Sequence, residues 1–385
     1  MAATVETQQV KTSARIERAL VSDADRRTIA TVAAIKVVVF VFAAESYQII
    51  SNSRLHGFHG WLQTLTRWDT VHFLNLAQTG YTGTGPDRIL LAFFPLYPWA
   101  TRALAFVVGD YLISALLVST IASIALALLL SRLVRQDFPG PIAERAVWFA
   151  FIFPTSYFLH FGYTESMFIA LTLGCLLAAR KRLWMAAGLL GALACLARIT
   201  GLILPLVLAA EALEQYRRER KFELAWLWIA VVPAGFVCYL LINMHVAGDP
   251  FAFLAIQKEH WYKSPAPPWI GIHRVIESIS WRPATEAQMM GTQEFVFIVL
   301  GLICTIYSWA KLRLSYGIWM TANWLIFTST SFVYSVPRYT LTLFPIFILF
   351  AQASQKRLWS SVITAWSLVY LALFSTLFVC GYWAF

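Results

Sequence analysis

Long apolar runs alternate with short polar insertions along nearly the whole chain. The runs fall near 28–50, 91–109, 111–131, 146–160, 166–179, 183–197, 201–213, 224–244, 295–310, 316–332, 340–353 and 360–383. A transmembrane helix needs about 20 apolar residues. A succession of this kind predicts an all-α polytopic membrane protein. Runs of about 15 residues reach only about 22 Å as helices, so the membrane must thin there or those ends must border a water-filled cavity.

The basic residues between the runs set a topology. They cluster at Lys11 to Arg27; at Arg132, Arg135 and Arg145; at Arg180, Lys181 and Arg182; at Arg217, Arg218, Arg220 and Lys221; at Lys311 and Arg313; and at Lys356 and Arg357. If all are cytoplasmic, as short basic loops tend to be, an even number of crossings separates each neighbouring pair. Every interval fits except the first, Arg27 to Arg132, which holds three runs. One of them should not span. The segment 91–109, LAFFPLYPWATRALAFVVG, carries Pro95, Pro98 and Arg102, residues tolerated at membrane depth only where protein or water satisfies them. It reads as a helix lying in the outer interface or re-entrant. About eleven crossings remain in one integral-membrane domain over 1–385. The tail 1–27 is then cytoplasmic, 51–110 is a first external loop with interfacial or re-entrant helices, 245–294 is a long external loop, and the C-terminus is outside.

Composition sharpens this picture. Of 385 residues, 59% are hydrophobic and 13% charged, against about a quarter charged in a soluble protein. A net charge of +10 would suggest nucleic acid in a soluble domain. Here the orientation of the loops accounts for it, and no nucleic-acid partner is expected. The cysteines Cys175, Cys195, Cys238, Cys304 and Cys380 lie inside apolar runs, with no CxxC and no metal spacing; they read as packed thiols. Residues 1–27 are polar and basic and carry no cleavable signal pattern.

The topology gathers chemistry on one face. RWDTVHF (67–73), HFGYTES (160–166), ARITG (197–201), the 245–294 loop and SVPRY (335–339) all fall outside, which predicts one site at the external end of the bundle. Asp69 is positioned to act as a general base on an incoming hydroxyl; the alternative is an N-cap for a helix starting at Thr70. His72, three residues on, would share its face, and Arg67 and Trp68 flank it. Glu165 reads either as a second acid that binds the acceptor or as a charge favoured at a helix start. His160 and Tyr163 would line the same mouth. Arg198 and Arg338, with Tyr339 beside the latter, sit at hairpin tips without a nearby acidic partner in sequence. Guanidinium forks suit phosphate oxygens, so these two suggest an anionic ligand; interfacial snorkelling is the plainer reading of Arg198. In FLAIQKEHWYKSPAPPW (253–269), Gln257, His260 and Trp261 suit a sugar or a lipid head group, or an interfacial aromatic belt. HExxH, GxSxG and P-loop patterns do not occur.

RWDTVHFLNLAQTGY (67–81) followed by LAFFPLYPW (91–99) resembles the first luminal loop of the PIG-V family of GPI mannosyltransferases. FPTSYFLHFGYTESMF (153–168), CLARITGLI (195–203) and SVPRYTLTLFPIF (335–347) resemble the same family in the same order. The resemblance runs over roughly 30–350. It implies a GT-C glycosyltransferase fold, a polyprenyl- or dolichyl-phosphate mannose donor and inverting transfer to a hydroxyl acceptor. Carried over by position, Asp69 would be the catalytic acidic residue, and Glu165, Arg198 and Arg338 would line the donor and acceptor site. No metal and no cofactor are expected.

In eukaryotic members the acceptor is a mannosylated GPI precursor. This chain has no N-x-S/T sequon, which favours a bacterial plasma-membrane protein over one of the endoplasmic reticulum. The acceptor would then be a glycolipid, a cell-wall glycan or a protein. A transporter or flippase of lipid-linked sugars is the alternative. Transporters often carry inverted repeats with broken helices, and no such symmetry is visible in the sequence.

Overall fold

The computed structural model describes residues 22–385, so residues 1–21 of the predicted cytoplasmic tail lie outside the described residues. Among the described residues the elements are helices, with no named strand. Six stretches are long and apolar enough to cross a bilayer: Asp23–Ile50, Tyr111–Val134, Ile199–Glu219, Leu224–Ala247, Ala284–Lys311 and Arg357–Val379. They leave large apolar side chains uncovered, among them Val37, Val38, Leu241, Leu368 and Val369. The protein is a multi-pass membrane protein, and these side chains are its lipid-facing surface.

Local chemistry explains where the long helices start. At Asp23–Ile50, the Ser22 hydroxyl accepts from the Asp25 amide, and the Asp25 carboxylate accepts from the Ser22 amide, both at 3.1 Å. This reciprocal capping box satisfies two amides left over at the first turn. At Tyr111–Val134, Asp110 caps the Ile113 amide at 2.8 Å. Just before it, Gly109 takes φ 78°, a left-handed conformation that glycine adopts without a Cβ penalty. It lets Leu96–Val108 fold back against Tyr111–Val134.

Shorter helices fill the remaining runs: Gly140–Ile152, Glu165–Arg180, Trp184–Ala197, Leu314–Thr328 and Pro345–Ala353. Eleven crossings would require all of these to cross as well. Length and composition alone give six, or seven if one bent pair is counted. That pair is 91–109 with its lead-in. Pro86–Ala92 is a 3₁₀ helix, Leu96–Val108 is α, and they meet at 111°. Proline supplies the break, because Pro95 and Pro98 cannot donate to a continuous ladder.

Both long loops carry helices. Within 51–110, helices run over Gly57–Gln63 and Asp69–Thr79 ahead of the bent pair. Within 245–294, helices occupy Ala252–Trp261 and Pro268–Trp281, and the Ala284–Lys311 helix begins inside it through a π-helical turn at Ala287–Thr292.

The basic clusters meet at one end of the bundle. Arg132 pairs with Asp25 at 3.1 Å and Arg27 approaches Glu144 at 3.8 Å. Arg180 grips Asp137 with both terminal nitrogens at 2.6 Å. Arg313 reaches Glu211 at 3.0 Å and Asp137 at 3.7 Å. Arg182 holds Glu223 at 2.9 Å, and Arg145 donates to the Ser354 carbonyl at 3.2 Å. The helix Glu165–Arg180 starts in the candidate site and ends in this basic network. At 1.5 Å per residue its ends lie about 22 Å apart.

Candidate active site

Asp69 is the first residue of the helix Asp69–Thr79, and Trp68 is its N-cap, with no side-chain capping bond. The capping alternative therefore does not hold for Asp69. Its Oδ2 accepts instead from Arg338 Nη1. Arg338 lies in the short helix Val336–Thr340. Both helices are entered through a residue in the left-handed region, Trp68 at φ 52° and Ser335 at φ 68°. Such positions cost on the order of 1–3 kcal/mol each and persist only where the surroundings over-determine them.

Glu165 is 0% exposed. Its Oε1 accepts from Arg338 Nε at 2.5 Å and from Arg198 Nη1 at 2.6 Å, while Oε2 has no protein partner. This corrects two expectations. The arginines do have an acidic partner, one that sequence spacing could not reveal. Glu165 is the buried counter-ion that aligns both guanidiniums, and it does not line the cavity as a second acid. A buried carboxylate needs such pairing to remain charged.

Arg198 reaches this point through a tight reversal. It has an extended backbone between Trp184–Ala197 and the 3₁₀ turn Ile199–Ile203. A Cβ on Gly201 would sit 2.6 Å from the Cys195 amide nitrogen, so only glycine lets the chain double back so closely. The Arg198 guanidinium then lies over the rings of Phe168 and Tyr339, 5.8 Å from each centroid.

These groups border one cavity of about 280 Å³. Asp69, Gln257, Lys263, Arg198, Arg338 and Tyr339 line its polar side together with four threonines, and Phe73, Phe93, Phe94 and Phe327 line its apolar side. Asp69, Gln257, Arg198, Arg338 and Tyr339 are expected from the sequence, whereas Lys263 and the threonines are not. The Lys263 ammonium donates to the Tyr339 hydroxyl at 2.7 Å and stands 4.9 Å from that ring centroid. Its segment is clipped to residues 329–331: Ser331 N donates to Ser264 O at 2.8 Å, and the Ser264 and Ser331 hydroxyls pair at 2.7 Å. Lys263 was one cation in a mixed loop, and only the fold aims it inward.

A family model described as mannosyltransferase (PIG-V) matches residues 44–252, more than half of the chain. The protein belongs to the PIG-V mannosyltransferase family. Its fold is that of the GT-C glycosyltransferases. It is similar to ArnT from Cupriavidus metallidurans, solved bound to undecaprenyl phosphate, with 15% identity, a TM-score of 0.52, and coverage of 92% of this chain and 76% of that one. It is also similar to the apo oligosaccharyltransferase of Archaeoglobus fulgidus, at 12% identity and a TM-score of 0.44, where it spans 56% of that protein's length. No curated protein matches the sequence.

The remaining expected site residues of this PIG-V family member fall outside the cavity wall. His160 is fully buried: its carbonyl accepts from Lys36 Nζ at 2.6 Å and its ring packs on Phe151. It belongs to the packing of Asp23–Ile50 and does not line the mouth. Tyr163 is also buried; its ring stacks under Arg338 at 4.7 Å, and its hydroxyl donates to the Arg67 carbonyl at 2.9 Å. It supports the site from behind. Arg67 donates to the Val379 carbonyl at 3.1 Å, tying this loop to the C-terminal helix. Trp68, 42% exposed, packs edge-on against Trp383.

His72 stacks on the cavity residue Phe93, with centroids 5.0 Å apart. Burial pushes its imidazole below the ordinary histidine range, partly offset by Asp69. Trp261 meets Phe93 edge-on with centroids 5.8 Å apart, and His260 packs against Trp261. These three shape the apolar wall from one layer back.

Proposed function

We propose that this membrane glycosyltransferase moves mannose from a polyprenyl- or dolichyl-phosphate mannose to a hydroxyl of a glycolipid, glycan or protein. The observation that carries the reading is Asp69 on the wall of a cavity that also presents Arg198, Arg338 and Lys263. Arg338 occupies Asp69 Oδ2 and leaves Oδ1 to accept a ligand proton. Asp69 takes the proton from the acceptor hydroxyl. The acceptor oxygen forms a bond to the anomeric carbon, and the bond from that carbon to the phosphate oxygen breaks. The electron pair of the broken bond goes to the phosphate, and the product lipid leaves as a phosphomonoester. Attack opposite to departure inverts the anomeric centre.

The cations stabilise charge that grows on the leaving phosphate, the kind of preorganised electrostatics that lowers a barrier most. They also stand where a divalent ion would otherwise serve, which supports a metal-independent reaction. The undecaprenyl phosphate of ArnT is the kind of carrier lipid this cavity would take. With the basic network at the opposite end read as cytoplasmic, the cavity faces outward, and we place the protein in a bacterial plasma membrane.

The test offers polyprenyl-phosphate mannose, labelled in the sugar, to membranes containing the chain. Transfer of label to a membrane or wall acceptor, undiminished by chelators, is expected. Translocation of the intact donor without transfer would support a flippase and overturn the proposal.

A further inference from the structure

A third acidic residue holds backbone beside the site without lining the cavity. Glu294 lies near the start of Gln293–Lys311 and is fully buried. Its two oxygens are both used on backbone: Oε1 accepts from the Ser335 amide and Oε2 from the Val336 amide, each at 2.7 Å. These are consecutive donors at the entry to Val336–Thr340. Pro337 has no N–H to offer, and no side chain of the helix's own N-cap serves it. Ser335 is the residue at φ 68°. Arg338 follows two positions after Val336, with its guanidinium divided between Asp69 and Glu165.

We infer that Glu294 is the positioning residue for Arg338. A carboxylate accepts two adjacent amides in fixed geometry, and here it comes from a different membrane helix. It therefore fixes both the strained turn and the angle at which the short helix presents Arg338. Any polar group could satisfy one amide; two oxygens of one rigid group define an orientation. The carboxamide of glutamine keeps a single acceptor and turns an N–H₂ toward the second amide. The segment then rotates, and the guanidinium no longer spans both carboxylates. The inference rests on Arg338 belonging to the transfer site.

The experiment is a double-mutant cycle in the full-length protein in detergent or nanodiscs. Glu294→Gln should lower kcat about 10- to 100-fold, the range expected for a misplaced catalytic group. KM for the donor should stay within about twofold, because bulk binding is not removed. In an Arg338→Lys background, Glu294→Gln should cost no further activity. Additive losses in the cycle, or a loss carried wholly by KM, would overturn the inference. A second measurement is independent of turnover. Glu294→Gln should speed amide exchange over 335–340 and open Arg338 to phenylglyoxal, with the exchange of Glu165–Arg180 unchanged. If the wild type transfers no mannose, the functional reading fails while this readout still decides the positioning claim: unchanged exchange and modification would refute it.

Discussion

Arg338 bridges Asp69 and Glu165, partners 269 and 173 residues away along the chain. One guanidinium joins a carboxylate on the cavity wall to one fully buried behind it. The chemistry of the site and the closure of the bundle around it are thus held by the same side chain.

Glu165 answers to this arrangement most sharply. Glu165→Gln would leave Arg198 and Arg338 without their shared counter-ion. Breaking a buried pair from one side costs about 3–5 kcal/mol. A marked drop in the thermal unfolding temperature of the purified protein is expected, and donor lipid should not restore it. An unchanged melting curve would contradict the counter-ion role.

Lys263 is the cavity cation with no carboxylate within salt-bridge range among the described residues, whereas Arg198 and Arg338 are both paired. Lys263→Met should therefore weaken binding of polyprenyl phosphate about 10- to 100-fold, as expected for a hydrogen bond to a charged group. Titration with the carrier lipid checks this, and equal affinities for variant and wild type would remove Lys263 from the phosphate site.

Much of this site was readable before the fold. Asp69, Arg198 and Arg338 stand out because a charge inside an oily chain is costly, and the parity of the basic clusters assigned their segments to a common end. What was not readable was pairing. Glu165 lies 33 residues from Arg198 and 173 from Arg338, and nothing in local spacing says that it neutralises both. His160 and Tyr163 share a motif with Glu165, yet His160 packs on Phe151 while Tyr163, like Glu165, meets Arg338 from behind the cavity wall. Lys263 and Glu294 carry no local signal at all: one acquires its role from the clip to residues 329–331, the other from two backbone amides across the bundle. The prolines of 91–109 mark it as an unusual segment, and the chain bends there by 111°, whereas the helices inside 245–294 are obscured by mixed polarity.

His72 gives a dependence on pH. Its folded-state pKa lies below the ordinary value, so below about pH 6.5 the unfolded chain takes up a proton that the folded chain resists. Stability through His72 falls as pH falls. His72→Gln should flatten the decline of Tm between about pH 7 and pH 5. The same slope in the variant would show that another group governs it.

Thr84 and Gln136 are exposed positions at the site end and in the basic network. Thr84→Cys should react with an impermeant maleimide added to intact cells, and Gln136→Cys should react only after permeabilisation. Labelling of both from outside would contradict the proposed orientation.

The most direct test of the central claim is transfer by Asp69→Asn. The asparagine keeps the shape and loses the basic oxygen. The account predicts that this variant folds, binds polyprenyl-phosphate mannose as the wild type does, and transfers mannose about 10²- to 10⁴-fold more slowly, the usual contribution of a general base. Transfer at the wild-type rate would contradict the assignment of Asp69 as the base.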